Sequence, residues 1–183
     1  MNMLINEISE MLKNANFDWS ICGGFATDLF CGEQTRIHYD IDICVFWENR
    51  NDVIKYMKDL NWKLYDGLGN RIVHLITDQS EMKYSNKNIF CVQDGNKAVH
   101  SEPIGDNMFR WDIDHLEQTE LNYIDFLFNK RNSNHFFYSR NENVKREINK
   151  AILHYNSSIP YLAPEIALLY KSTDHKRDDY EHD

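Results

Sequence analysis

The sequence has no apolar run long enough to span a bilayer, and its first 14 residues lack the basic start and apolar centre of a signal peptide. Only three prolines and seven glycines occur in 183 residues, and no segment has the low complexity of a disordered tail. The 42% hydrophobic content is sufficient for a core. We therefore expect an ordered cytoplasmic protein of one domain, or one domain with a small appendage.

Paired cysteine spacing is also absent. The four cysteines, at positions 22, 31, 44 and 91, do not form a pattern typical of a zinc site, and three of them lie in apolar stretches. A free thiol in such a stretch behaves as a small core side chain. We expect reduced, structural cysteines.

Basic residues are outnumbered, with 20 Lys and Arg against 29 Asp and Glu and a net charge of −9. A broad nucleic-acid surface needs many phosphate contacts from basic side chains, so this composition disfavours a nucleic-acid partner. A small substrate is favoured. An acidic cleft would attract a cationic acceptor such as an amino sugar.

Hydrophobic periodicity and breakers predict how the N-terminal half is organised. A strand, a glycine turn and a helix follow an initial amphipathic helix, and a strand with a buried far end comes next. The predicted elements are a helix over 2–14, a strand over 18–22, a helix over 25–30 ending near Gly32, a strand over 38–46 and a helix over 52–60.

The middle of the chain predicts antiparallel strands and hairpins. Aromatic and β-branched segments at 62–65, 71–77, 88–93, 97–102 and 108–113 are separated by turn signals at 66–67, 69–70 and 94–96. Segment 122–128 fits a helix or a strand, because periodicity alone cannot decide between them. A strand over 135–139 and a helix over 163–172 follow, with Pro164 at the first helical position.

Two carboxylates and two glycines carry the chemistry. In a strand, residues two apart point to the same side, so Asp40 and Asp42 would stand side by side. Magnesium prefers oxygen ligands and couples carboxylates to substrate phosphates. Gly23 and Gly24, between a strand and a helix, would let backbone amides approach an anion. Together they would position the phosphates and bind the cations that phosphoryl transfer requires.

The stretch GGFATDLFCGEQTRIHYDIDI resembles the signature of the nucleotidyltransferase superfamily, in which Gly-Gly opens a helix and Asp-x-Asp follows on the next strand. The closer resemblance is to the aminoglycoside adenylyltransferase and lincosamide nucleotidyltransferase group, whose Arg-x-His-x-Asp-x-Asp pattern is matched by Arg36, His38, Asp40 and Asp42. In the C-terminal region, SSIPYLAPEIALLYKS also looks like the proline-rich segment and following helix of this group. The middle of the chain is only loosely matched.

The resemblance implies the core fold of DNA polymerase beta. We expect an α+β fold: a mixed, largely antiparallel twisted sheet with flanking helices and a short helical C-terminal segment. The predicted boundaries are 1–140 for the nucleotidyltransferase core and 141–183 for a C-terminal segment with one main helix. Relatives usually continue into a further helix, which leaves a short C-terminal element or a trimmed chain as alternatives.

Superfamily members use a third carboxylate on a neighbouring strand as metal ligand or base. By position in the family pattern, the resemblance places it at Asp125, which favours a strand over 122–128. Glu102 is the competitor, because it lies on a predicted strand and precedes Pro103. We prefer Asp125, since an unpartnered charge within an apolar run would be costly.

Basic residues supply candidates for phosphate contact. Arg36 and His38 adjoin the carboxylate pair and could contact phosphates or orient the carboxylates, with a solvated loop as the alternative. Lys171 is a further nucleotide-binding candidate, together with Arg140 and Arg146, and for all three a surface or helix-end role competes. A solvated tail explains the acidic and histidine residues at 174, 175, 178, 182 and 183.

The function implied is transfer of a nucleoside monophosphate from a nucleoside triphosphate, with ATP expected, to a hydroxyl of a small molecule. Asp40, Asp42 and Asp125 would hold one or two Mg²⁺ ions, and the acceptor would resemble an aminoglycoside or a lincosamide, an activity of the antibiotic-resistance type. We expect no membrane partner. The alternatives are nucleotidylation of a protein or RNA, as in toxin-like relatives, and nucleotide binding without turnover.

Overall fold

The computed structural model describes residues 3–77, 88–114, 117 and 119–172, and the architecture is α+β. The acidic and histidine residues predicted to form a solvated tail lie outside these residues. One sheet runs through the described structure, and helices cover parts of both its faces.

The predicted helices are confirmed to within a few residues. α2 ends where expected, because Gly32 takes φ +80° and its N–H donates to the Asp28 carbonyl at 2.8 Å. None of the described helices has the length and apolarity of a membrane span. The helices are α1 (Met3–Leu12), α2 (Gly23–Cys31), α3 (Arg50–Asp59), α4 (Ile148–Ala151) and α5 (Pro164–Lys171).

The segment that fitted either a helix or a strand is a nine-residue strand, β8. The first four strands are β1 (Trp19–Ile21), β2 (Asp42–Phe46), β3 (Lys63–Gly69) and β4 (Ile72–Leu75). The next four are β5 (Asn88–Val92), β6 (Val99–Gly105), β7 (Met108–Ile113) and β8 (Tyr123–Arg131). The last four are β9 (His135–Phe137), β10 (Lys145–Glu147), β11 (Ile152–Tyr155) and β12 (Ile159–Leu162).

The strand order is β11-β12-β1-β2-β8-β5-β3-β4-β7-β6, and β9 pairs with the end of β8 and with β10. The pairings of β1 with β12 and of β2 with β8 are parallel, and the other described pairings are antiparallel. The predicted mixed, largely antiparallel sheet with flanking helices and a short C-terminal helix is confirmed.

Alternation along the strands separates two faces. On the first face, Ile43 and Phe126 belong to the main core with α1, α2 and α3. On the second face, Phe46 packs with α4 and α5, while an aromatic cluster around Trp111 lies toward the other end of the sheet. Asp42 and Asp125 occupy second-face positions between those two groups, because each is offset by one residue from a core residue of the first face.

Two local predictions were wrong. Asp66-Gly67 is not a turn but lies within β3, and the chain reverses at Asn70 and Arg71, both with positive φ. Gly67 is required for another reason, since a Cβ there would come within 2.8 Å of the Phe90 ring. The strand predicted over 38–46 begins only at Asp42, so Asp40 lies in the segment before it.

The C-terminal segment is continuous with the sheet. β12 pairs with β1 through Ile21 and Tyr161, and β11 pairs with β12. The domain boundary at 140 stays a prediction. Strands β11 and β12 beyond it extend the sheet next to β1, the strand that precedes the glycine turn, and the sequence pattern did not indicate this.

Candidate functional site

The parallel pairing of β2 and β8 sets the centre of the candidate site. Asp42 and Asp125 are direct partners in this register, and the Asp125 amide donates to the Ile41 carbonyl at 2.9 Å. Registered residues on parallel strands project to the same face, so the two carboxylates are neighbours. Residues 83 positions apart in sequence thus meet at one place in the sheet.

The surroundings of Asp125 disfavour a charged carboxylate. Asn88 Nδ2 donates to Asp125 Oδ2 at 3.1 Å, whereas Oδ1 is buried and has no hydrogen-bond partner among the described residues. Burial raises the pKa of Asp125 well above its ordinary value, and the charges of Asp42 and Asp40 raise it further. A cation beside these carboxylates would reverse that effect.

The other two carboxylate candidates lie in different places. Asp40 is exposed just before β2 and lines the same cavity as Asp42. Glu102 is exposed on β6, and four strands separate β6 from β8 in the sheet. At about 4.8 Å per strand this is roughly 24 Å. Glu102 faces Arg110 at 3.9 Å, so the structure does not bring this competitor to the site.

Gly23 and Gly24 begin α2 directly against the site. Gly23 has φ +61°, and a Cβ there would lie 2.0 Å from Asp42 Oδ2. A Cβ on Gly24 would lie 2.4 Å from His38 Nδ1 and 3.1 Å from Arg36 Nη2. Any side chain at either glycine would therefore collide with another candidate residue. The glycines allow the backbone amides at the start of the helix to approach a bound anion.

His38 is held by a residue that the sequence analysis missed. His38 Nε2 lies 2.7 Å from Asp28 Oδ2, and both residues are buried. The Thr35 amide and hydroxyl donate to Asp28 Oδ1 at 2.9 and 2.6 Å. Burial lowers the pKa of His38, although Asp28 acts in the opposite direction. The sequence signal for this role was that Asp28 lies among the apolar residues of α2 that are buried.

One cavity of about 340 Å³ joins Gly23, Asp40 and Asp42 to the C-terminal helix, whereas Asp125 and His38 are not among its lining residues. Lys171, 7% exposed, and Arg140 lie on its wall, so two of the three additional cations are brought to the site. Arg146 pairs with Glu165 and is not among the lining residues. The remaining lining residues include Cys22, Gly23, Gly24, Arg36, Asp40, Asp42, Cys44, Asn88, Leu127, Asn129, Ser139 and Tyr170.

Comparison with known proteins assigns the chain to a family. Residues 4–133 match the family model described as aminoglycoside-2''-adenylyltransferase, and they include the glycine turn and all three aspartates. The chain belongs to this family. As an aminoglycoside-2''-adenylyltransferase family member it is a nucleotidyltransferase, which confirms the family resemblance in the sequence. A search among curated proteins returned no significant match.

This family member resembles several solved structures, of which LnuA shares its fold. The lincosamide antibiotic adenylyltransferase LnuA, with lincomycin bound, is 17% identical with a TM-score of 0.56, covering 97% of this chain and 90% of LnuA. The antibiotic-resistance factor ANT(2'')-Ia is 14% identical with a TM-score of 0.46, covering 96% of this chain and 74% of the other. The complex of ANT(2'')-Ia with adenylyl-2''-tobramycin is 14% identical with a TM-score of 0.45, covering 94% of this chain and 76% of the other.

The donor set of this family member is compatible with a divalent cation. Asp40, Asp42 and Asp125 offer carboxylate oxygens, the ligands that Mg²⁺ prefers, and Asp125 Oδ1 is buried without a hydrogen-bond partner among the described residues. No group of three His, Cys, Asp or Glu residues in the described ranges is close enough to form a preformed metal cage. A Mg²⁺ ion held here would therefore need substrate phosphates or water to complete its coordination.

Proposed function

We propose that this protein transfers the nucleoside monophosphate of ATP to a hydroxyl of a small molecule in a Mg²⁺-dependent reaction. The observation that carries the proposal is the register of Asp42 with Asp125 beside Gly23. Two like charges in adjacent strand positions are unfavourable on their own. They become favourable when a cation and phosphates occupy the site.

Asp40, Asp42 and Asp125 would hold the metal. When bound, Mg²⁺ would join the carboxylates to the phosphates and neutralise the charge that develops as pyrophosphate departs. The amides at Gly23 and Gly24 would bind phosphate oxygens at the start of α2. Arg36 and Lys171 line the same cavity and would contact the triphosphate, and His38, fixed by Asp28, would support the backbone at Gly24.

The chemical step is in-line substitution at the α-phosphorus of ATP. The acceptor oxygen forms a bond to this phosphorus while the bond to the oxygen bridging the α- and β-phosphates breaks. In its ionised form the Asp125 carboxylate takes the acceptor proton and later releases it to solvent, and pyrophosphate leaves. The products are an adenylylated acceptor, a proton and pyrophosphate, as in other reactions of EC class 2.7.7.

The acceptor proposed is an aminoglycoside hydroxyl. The family name supports this class, and the net charge of −9 favours a polycationic amino sugar over an anionic acceptor. A lincosamide is the comparison compound, since LnuA has a similar fold. The cytoplasmic location stays a prediction.

The test is pyrophosphate release with each of the four nucleoside triphosphates and Mg²⁺, using tobramycin, lincomycin or no acceptor. We expect release that requires ATP, Mg²⁺ and tobramycin, and mass spectrometry should show an adenylylated product. Asp42→Asn should abolish release while the circular dichroism spectrum stays unchanged. Full activity of that variant would refute the metal-site assignment. Nucleotide binding without release for any acceptor would instead indicate a binding protein.

A further inference from the structure

A polar cluster lies on the wall of the cavity that the glycine turn also lines. The Tyr170 hydroxyl donates to Asn129 Oδ1, accepts from the Ser139 amide at 3.1 Å and lies 3.0 Å from Ser139 Oγ. Burial raises the pKa of Tyr170 to about 12, so the hydroxyl keeps its proton at neutral pH. The cluster joins α5, β8 and the segment after β9 through one side chain.

The cluster is satisfied within the protein. Asn129 is 3% exposed, and its Nδ2 donates to the Leu127 carbonyl at 3.1 Å and contacts Cys44 Sγ at 3.2 Å. Its Oδ1 already accepts from Tyr170. Both donors of the Asn129 amide are therefore used and its Oδ1 accepts one hydrogen bond, so the cluster is better suited to hold neighbouring residues in place than to bind a ligand.

The neighbours held in place are the two cations of the cavity wall. Lys171 follows Tyr170 in α5, and Arg140 follows Ser139. Arg140 Nη1 donates to the Tyr170 carbonyl at 2.7 Å, and its guanidinium carbon lies 5.5 Å from the centre of the Tyr170 ring. Both cations line the cavity that also contains Asp42 and Gly23. Arg140 is held through the Tyr170 carbonyl and ring, whereas Lys171 follows Tyr170 in the helix that the Tyr170 hydroxyl joins to Asn129 and Ser139.

We infer that Tyr170 is a positioning residue of the nucleotide site, which holds Lys171 and Arg140 where they meet the β- and γ-phosphates. The inference rests on the proposed function. The carboxylates of the cavity would take the metal, and Lys171 and Arg140, which line the same cavity, would face the remaining phosphate charge. AMP lacks those two phosphates and should be insensitive to this wall.

The experiment is isothermal titration calorimetry of ATP and of AMP with Mg²⁺, on the wild type, Tyr170→Phe and Tyr138→Phe. Tyr138 is the matched control, because its ring lies 4.7 Å from that of Tyr170 and its hydroxyl donates to the Leu169 carbonyl at 3.2 Å, outside the cavity lining. Loss of a buried hydrogen bond should weaken ATP binding to Tyr170→Phe about tenfold. AMP binding should change less than about twofold, and Tyr138→Phe should bind both nucleotides normally.

A double-mutant cycle separates positioning from general damage. If Tyr170 acts through Lys171, Tyr170→Phe should weaken ATP binding clearly less in a Lys171→Met background than in the wild type. Equal weakening of ATP and AMP, or unchanged ATP affinity, would overturn the inference while leaving the proposed function intact. Absence of ATP binding by the wild type would instead overturn the proposed function, and the inference with it.

A second variant covers the case in which Tyr170→Phe does not fold. Ser139→Ala removes one hydroxyl of the cluster and keeps the tyrosine, so it should weaken ATP binding about threefold without affecting AMP. Thermal unfolding of each variant should be measured in parallel. An Ser139→Ala protein that folds and binds ATP as tightly as the wild type would count against the inference.

Discussion

Carboxylates occur both at the centre of the sheet and at its β6 edge, but their surroundings differ. At the edge, Glu102 faces Arg110 at 3.9 Å, and Asp112 accepts from Arg71 at 2.8 Å. These side chains are mostly exposed, so each charge is solvated as well as paired. Such pairs contribute about 0–1 kcal/mol to stability and need no ligand.

At the centre, Asp42 lies beside Asp125, a residue of the same charge. Asp125 receives a hydrogen bond from Asn88 on one oxygen, and its other oxygen is buried without a hydrogen-bond partner among the described residues. The comparison shows that carboxylate number does not identify a site. A functional carboxylate is recognised by an environment that is unfavourable until a ligand arrives.

The largest expected difference between the two regions is in activity. Asp125→Asn keeps the shape of the side chain and removes its charge, so transfer should fall by about 10³-fold, equivalent to roughly 4 kcal/mol. Glu102→Gln at the edge should stay within about twofold of the wild type, because the loss of an exposed pair has little effect. Pyrophosphate release measures both. Similar losses in the two variants would show that the central and edge carboxylates do not differ in function.

Asp66 provides an intermediate case, a carboxylate that is buried but paired. Arg50 and Asp66 are 5% and 0% exposed, and Arg50→Met would leave the Asp66 charge buried without its cation. The free energy of unfolding should fall by about 3 kcal/mol or more at neutral pH. Urea denaturation measures this loss, and Arg71→Met at the exposed pair is the control, expected to lose less than about 1 kcal/mol.

The Arg50→Met loss should depend on pH. Burial already raises the pKa of Asp66, while Arg50 acts to lower it, so the variant should have a still higher folded-state pKa. The unfolded chain then releases the Asp66 proton first as pH rises. The stability of Arg50→Met should consequently fall as pH rises above the ordinary carboxyl range. A loss that is independent of pH would contradict this account.

Gly23 at the centre and Gly69 away from it both have positive φ but differ in what surrounds them. Gly23→Ala would combine a left-handed backbone with a Cβ 2.0 Å from Asp42 Oδ2, so activity should fall about 100-fold through displacement of that carboxylate. Gly69 has φ +83°, but no atom lies within 4 Å of the Cβ that Gly69→Ala would add. This substitution should cost about 1–2 kcal/mol of stability and leave activity intact. Comparable activity of the two folded variants would refute the role assigned to Gly23.

The smallest expected effect is at the edge pair itself. Asp112→Asn removes one partner of Arg71, and both side chains are about 70% exposed, at 69% and 73%. Unfolding free energy should change by less than about 0.5 kcal/mol, and the change should shrink further in 1 M salt because exposed charges are screened. A loss above about 2 kcal/mol would mean that the exposed ion pair of Arg71 and Asp112 contributes more to stability than a surface pair should.

Much of the fold could be predicted because its signals are local. The glycine stop after α2, the helix beginning at Pro164 and the turn-separated strands follow from φ preferences and periodicity within short windows. The turn assigned to Asp66-Gly67 failed because this segment pairs with the neighbouring strands β4 and β5, and such partners lie outside a short window of sequence. Asp28 was missed because its partner His38 lies beyond the helix.

By itself, the sequence determined the family, the mixed sheet, and the close spacing of Gly23, Gly24 and Asp42, since all of these depend on neighbouring residues or on a motif. It left the third carboxylate open between Asp125 and Glu102. The tertiary structure brought only Asp125 next to Asp42, through the parallel pairing of β2 with β8. It also brought Lys171 and Tyr170 to the cavity. Strand order is decided by the packing of the whole chain, which no short window of sequence contains.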